Sequence, residues 1–263
     1  MIRFCPLVSG SSGNSIFIET DGTKILIDAG VSGKKLEGCL EKLDVSGGDI
    51  DAVFITHEHI DHIKGVGILS RRFDIPIYAT EATWQAMALS VGDIPHKNRR
   101  LIYKGENMAM NDMLIKPFEI PHDAADPVGY SIFAGDIKMT VATDIGHITE
   151  TVAEAAKDSS ILLLEANHDI DMLKNGSYPY PLKERILGLY GHMANAAAGK
   201  LLSDIMTNSL KQVYLGHLSH ENNTPELAFH TVRDILCHNG IYVGQDLNLE
   251  TANRSDISTC TEL

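Results

Sequence analysis

The 263-residue chain has no apolar stretch of the about 18–20 residues that a membrane-spanning helix needs, so helical insertion into a bilayer is excluded. Its opening, Met1-Ile2-Arg3-Phe4-Cys5-Pro6, lacks a basic segment followed by a long apolar block, which points away from secretion and towards the cytoplasm. Cysteine is scarce. Cys5, Cys39, Cys237 and Cys260 lie far apart with no C-x-x-C pair, and reduced, mostly buried thiols are the expectation. Basic residues are outnumbered, 22 against 35 acidic ones, for a formal charge of −13. That deficit argues mildly against non-specific nucleic-acid binding, which depends on Lys and Arg releasing counterions. Lys34-Lys35, Arg71-Arg72, Lys97 with Arg99-Arg100, and Lys183 with Arg185 form only small basic groups and read as solvated faces. Trp84, the single tryptophan, and the Met108/Met110/Met113 group read as packing. There is no internal repeat, low-complexity segment or linker.

What is present suits a packed globular fold. Hydrophobic residues make up 44% and charged residues 22%, and a core of this size buries about three quarters of the unfolded surface without staples. Short apolar runs at Arg3–Val8, Ser15–Glu19, Lys24–Asp28, Ala52–Thr56, Ile75–Tyr78, Met113–Ile120, Gly129–Phe133 and Ile137–Ala142 end in turn residues and predict strands. Lys34–Leu43 and Ala82–Leu89 predict helices between them. Further on come an apolar strand Ile161–Leu164, a helix near Asn195–Met206 and a strand Gln212–Leu215. Thr224-Pro225-Glu226 supplies an N-cap, a first-turn proline and a first-turn acid for a helix reaching about Cys237. One domain of α and β layers over residues 1–263 fits best, with a polar end from Thr251 that frays.

The chemistry concentrates in Thr56-His57-Glu58-His59-Ile60-Asp61-His62, directly after an apolar strand. His57 and His59, two apart on extended backbone, point the same way and can grip one cation. Asp61 and His62, past the turn, can serve a second. Imidazole with carboxylate suits zinc, manganese or iron and matches calcium poorly.

The H-x-H-x-D-H pattern after a strand resembles the metal signature of the metallo-β-lactamase superfamily. Leu26-Ile27-Asp28-Ala29-Gly30 resembles its early aspartate motif, His122 its third motif, Asp144 in Thr143-Asp144 its bridging aspartate, and His217 in Gly216-His217 its last histidine. The resemblance implies an αββα sandwich of two mixed sheets with outer helices. It also implies two divalent metal ions: His57, His59 and His122 on one, Asp61, His62 and His217 on the other, Asp144 between them, and Asp28 orienting a ligand. Such paired cations, about 3.5–4 Å apart, yield hydroxide at neutral pH and stabilise both attacking and leaving oxygens.

Leu164-Glu165-Ala166, Gly191-His192-Met193-Ala194-Asn195 and Gly216-His217 are similar to the phosphodiesterase layout of tRNA 3′-processing nucleases, which implies that Glu165 and His192 protonate a leaving oxygen. Ser9-Gly10-Ser11-Ser12-Gly13-Asn14-Ser15, His122-Asp123-Ala124-Ala125-Asp126-Pro127, Asn167-His168-Asp169 and His217-Leu218-Ser219-His220-Glu221-Asn222-Asn223 resemble the bacterial YycJ/WalJ family, with Ala166 where that family carries serine. This implies a metal-dependent 5′-to-3′ exonuclease acting on double-stranded DNA with a free 5′ end. Ser11, Ser12, Asn14, His168, Asn195, His220 and Asn222 are candidates to hold a terminal phosphate, against the plainer reading of the Gly-Ser loop as a tight turn. Two other readings stay open: a hydrolase of a small phosphodiester, lactone or thioester, and a metal-bound regulatory protein without turnover. Neither metal identity nor oligomeric state is specified by the sequence.

Overall fold

The computed structural model describes residues 1–263. Two sheets of seven strands stack face to face. The first contains β1 (Arg3–Gly10), β2 (Gly13–Glu19), β3 (Lys24–Ile27), β4 (Ala52–Phe54), β5 (Ile77–Ala79) and β6 (Arg99–Leu101). The second contains β7 (Met108–Met110), β8 (Met113–Glu119), β9 (Val128–Ala134), β10 (Ile137–Ala142), β11 (Ile161–Glu165), β12 (Gln212–Gly216) and β13 (Asn248–Thr251). The last strand, β14 (Thr261–Glu262), returns to the first sheet beside β1. Hairpins run antiparallel, and β3–β4–β5–β6 and β10–β11–β12–β13 run parallel, so both sheets are mixed.

Alternation along the strands sorts side chains between layers. Ile16, Ile18, Ile25, Ile27 and Phe54 of the first sheet meet Ile115, Tyr130, Ile132, Val141, Ile161, Leu163 and Tyr214 of the second in a central core. Leu162 and Leu164 face the other way, against Ala198, Leu202, Val232 and Leu236 on the helices Asn195–Ile205 and Pro225–His238. Hence β11 is apolar up to its last residue, Glu165: both of its faces are covered. Leu26 and Val53 pack outward on Leu36, Leu40, Leu69 and Met87 from the helices Gly33–Glu41, Val66–Phe73 and Glu81–Val91. This is the αββα sandwich, with element bounds close to those predicted. Thr224 caps Pro225–His238 by accepting from Leu227 N. No helix is long and apolar enough to cross a membrane.

Two expectations fail. Cys5 and Cys260 are not free thiols but form a disulfide, with Cα atoms 4.4 Å apart. The register Arg3↔Glu262 and Phe4↔Thr261 brings Cys5 opposite Cys260, a juxtaposition that a separation of 255 residues hides from the sequence. Of the free cysteines, Cys39 is buried and Cys237 exposed. The residues from Thr251 onward do not fray either. Ala252 N donates to Leu215 O, Ser9 N to Asn253 O and Ser258 N to Pro6 O, tying both sheets together before β14 forms.

Candidate metal centre

The strands of both sheets that carry the cluster end on one edge of the sandwich. Asp28 follows β3, the His57–His62 loop follows β4, His122 follows β8, Asp144 follows β10, Glu165 ends β11 and His217 follows β12. Asp28, Asp144 and His217 each adopt positive φ, at 62°, 60° and 55°. Left-handed backbone at a non-glycine residue costs energy and persists only where the surroundings enforce it. Here it turns each side chain off its strand end and into the shared space. The neighbouring Gly30 permits the close fit: a Cβ there would lie 1.6 Å from the Asp61 carbonyl oxygen.

Four subsets of the cluster have potential ligand atoms within 4.8 Å of one another. Three of them are His57, His59 and His122; Asp61, His62 and His217; and His57, His62 and Asp144. Asp144 lies between the first two groups, with its carboxylate 3.7 Å from His122 Nε2 and 3.4 Å from His62 Nε2. Asp61 Oδ2 sits 3.6 Å from His62 Nε2 and 3.5 Å from His217 Nε2.

Hydrogen bonds assign the tautomers. Nδ1–H of His62 donates to Asp28 Oδ2 at 2.7 Å, and that of His217 to Glu165 Oε1 at 2.8 Å. Nδ1–H of His122 donates to the Gly191 carbonyl at 3.2 Å, and that of His57 to Thr56 Oγ1 at 3.0 Å. Every one of these rings therefore turns an Nε2 lone pair inward, the arrangement by which outer partners orient metal-binding imidazoles. Inside, Asn14 Nδ2 reaches His62 Nε2 at 3.2 Å, but three further acceptors find no donor. His57 Nε2, His217 Nε2 and Asp144 Oδ2 are buried without a hydrogen-bond partner, and His59 Nδ1 lies 3.3 Å from His122 Nε2. Buried acceptors facing one another need a cation. The donor set fits divalent metal.

Burial opposes charge on His62 and His217, but neighbouring carboxylates outweigh it. Asp144 with Asp28 and Asp61 around the first, and Asp144 with Asp61 and Glu165 around the second, raise both pKa values above the ordinary imidazole range, to about 9 for His62. A cation at these rings takes the place of their protons. Burial, reinforced by the surrounding histidines, keeps the His57 pKa well below the usual imidazole value. Burial works against ionisation of Asp61, but His62 and His217 outweigh it and hold the carboxyl well below the carboxylate range. Glu165 is likewise buried and held ionised by His192 and His217. Its Oε2 also accepts from Ile145 N and Met193 N, while Oε1 contacts His192 Nδ1 at 2.9 Å.

Comparison with known proteins agrees with this geometry. The family described as "Beta-lactamase superfamily domain" matches residues 23–218. The exodeoxyribonuclease YycJ of Bacillus anthracis is 38% identical over 244 residues, 93% of this chain and 92% of its own. The exodeoxyribonuclease WalJ of Streptococcus pneumoniae serotype 2 is 38% identical over 263 residues, 99% of this chain and 98% of its own. The chain belongs to the metallo-β-lactamase superfamily of hydrolases, in the YycJ/WalJ family. The human tRNase Z short form superposes with TM-score 0.65 at 17% identity, covering 98% of this chain and 99% of that one, a likeness of fold alone.

Within this YycJ/WalJ-family chain the candidate phosphate-holding residues separate into distinct groups. Ser11 and Ser12 are exposed in a two-residue turn closed by the Gly10↔Gly13 pair, so the Gly-Ser loop is a hairpin tip. Asn14 faces the cluster, with Nδ2 3.2 Å from His62 Nε2. Asn195 is occupied in a reciprocal amide pair with Asn223, at 3.0 and 2.8 Å. His220 is exposed and paired with Glu221. His168 and Asn222 are buried with no side-chain partner, and burial pulls the His168 pKa down to about 4. Sequence reasoning passed over Thr56, Ser9 and Arg254. Ser9 Oγ accepts from His217 N, and Arg254 Nη2 donates to the carbonyls of Ser219 and Asn223, holding the loop after His217 from a distant segment. Only adjacency to His57 flagged Thr56, and only its place at the head of the Gly-Ser segment flagged Ser9; nothing local flagged Arg254.

Proposed function

We propose that this chain is a metal-dependent exonuclease that degrades double-stranded DNA from a free 5′ end, with two divalent cations at the histidine-aspartate cluster. His57, His59 and His122 would hold one ion, Asp61, His62 and His217 the other, with Asp144 shared. Bound divalent cations supply Lewis-acid stabilisation of phosphoryl oxygens and make water an effective nucleophile at neutral pH. Asp61 and the histidines contribute geometry and charge, while burial excludes bulk water from their inner atoms.

The observation that carries the reading is the Glu165–His192 pair beside the cluster, in a chain whose full-length relatives are named exodeoxyribonucleases. Nδ1 of His192 is committed to the buried Glu165 carboxylate at 2.9 Å, which fixes the ring and leaves Nε2 as the atom that exchanges a proton. Its Nε2–H then protonates the departing sugar oxygen. Lactone or thioester opening has less need of such an acid.

Incubating metal-loaded protein with linear duplex DNA bearing a 5′-phosphate and a 3′ label tests this. Shortening from the 5′ end, lost in Asp61→Asn, is the expected result; intact DNA across zinc, manganese and iron overturns it. The formal charge of −13 favours a second reading, a small phosphodiester as substrate. Turnover of a chromogenic phosphodiester that excess duplex DNA fails to inhibit at low salt would select it.

A further inference from the structure

Beside His122 the surface opens into a cavity of about 340 Å³, walled by Pro121, Pro127, His147, Tyr190 and Lys104. A second cavity, of about 490 Å³, shares Lys104, Glu119 and Thr151 with the first, so the two are lobes of one groove. The far lobe lies on the outer face of β8–β10, where Phe118 and Phe133 contribute apolar surface and Lys116 and Lys138 contribute charge. Tyr190, at the near end, is 61% exposed although its carbonyl accepts from Asp123 N, next to His122.

Resting on the nuclease reading above, we infer that this groove carries a single strand of nucleic acid leading from the metal centre, with a base against Tyr190 and phosphates on Lys116 and Lys138. Three features select this occupant. The groove is continuous with the cluster at His122. It pairs an exposed aromatic near the centre with cations further out, the arrangement that binds single strands without sequence preference. Its charge also differs from that of the whole protein. Lys104 is neutralised by Asp126 at 2.6 Å and Glu119 at 3.5 Å. Lys116 forms no ion pair, and Lys138 donates only to the Lys157 carbonyl while lying 5.8 Å over the Phe133 ring. Glu154 is the remaining acid on the wall. Lys116 and Lys138 are thus two cations without a carboxylate partner on a chain of net charge −13, where a polyanion has few places to lie.

The test measures the Kd of the metal-loaded protein for duplex DNA with a short single-stranded end and hydrolysis-resistant phosphorothioate linkages, as a function of salt. The Lys116→Ala/Lys138→Ala variant is compared with wild type and with Lys200→Ala/Lys211→Ala, which removes the same charge from another part of the surface. Loss of two phosphate contacts makes the slope of log affinity against log salt shallower by about 1.4 and weakens binding on the order of tenfold at low salt. Tyr190→Ala weakens binding with the salt slope unchanged. The control variant binds like wild type, and hydrolysis of a chromogenic phosphodiester is unchanged in all three. Equal Kd and slope in the Lys116/Lys138 variant and wild type overturn the groove while leaving the nuclease reading intact, as does equal weakening in the control. Lysine-dependent binding without cutting of unmodified DNA overturns the nuclease reading and leaves the groove. Absence of DNA binding by wild type overturns both.

Discussion

Glu165 Oε1 lies 2.9 Å from His192 Nδ1, and the same oxygen accepts from His217 Nδ1 at 2.8 Å. One buried carboxylate thus orients both the proposed acid and a proposed metal ligand. With Oε2 held by two backbone N–H groups, it has no freedom to swing between them. It is a fixed anion and not a proton carrier.

Glu165→Gln keeps the shape and removes the charge. Its amide oxygen can still accept from Ile145 N and Met193 N, leaving the NH2 against both Nδ1 atoms. Each ring must then accept there and move its proton to Nε2, the atom His217 turns inward. Metal affinity or activity falls about 10–100-fold, as for other outer partners of ligating histidines. Metal content after dialysis, measured beside hydrolysis, checks this, and full retention of both refutes the shared-orienter role.

Asp28 acts similarly on His62, and Thr56 completes that unit by donating N–H and Oγ1–H to Asp28 at 2.8 Å each. Asp28→Asn presents an amide to His62 Nδ1 and lowers activity about 10–100-fold. Thr56→Val removes the acceptor that fixes the His57 tautomer. It lowers activity as well, and the double variant loses less than the sum of the two single losses because Thr56 and Asp28 share one network. Additive losses in steady-state kinetics contradict that.

Far from the cluster, Asp112 accepts from Thr23 Oγ1 at 2.5 Å, Thr20 Oγ1 at 2.7 Å and Gly22 N at 3.2 Å, joining the β2–β3 turn to the β7–β8 turn. The Thr23 hydrogen bond, with the Thr20 and Gly22 bonds, lowers its pKa below the ordinary 3.8. A depressed folded-state pKa contributes stability above the unfolded value, and that contribution vanishes as pH falls through the folded one. Asp112→Asn costs at most about 1 kcal/mol at neutral pH, since the group is largely exposed to screening solvent. Denaturant titrations of the two proteins should converge below the unfolded-state pKa of 3.8. A gap that stays constant with pH rules out ionisation as its source.

The Cys5–Cys260 bond closes nearly the whole chain into a loop, so reduction or Cys260→Ser lowers stability by about 2–4 kcal/mol. Melting with and without reductant reads the difference for wild type, and Cys5→Ser/Cys260→Ser should show none. Identical wild-type curves under both conditions would show that the bond does not constrain the unfolded chain.

The histidine-rich segment, the alternating strands and the Thr224 cap were legible in the sequence because each depends on neighbours within a few residues. Local patterning determined that apolar strand ends would carry His57, His59, Asp61, His62, His122, Asp144 and His217. Tertiary structure alone decided what those ends meet. The positive φ of Asp28, Asp144 and His217, the Asn195–Asn223 pair that occupies a candidate phosphate ligand, and the grip of Arg254 on the loop after His217 all join distant segments. The disulfide and the ordered C-terminal segment follow from β14 pairing with β1, a register set by packing of the completed sheet. Hydrophobic periodicity records which face of an element is buried, but it holds no term for which distant carbonyl or carboxylate will stand opposite a given side chain.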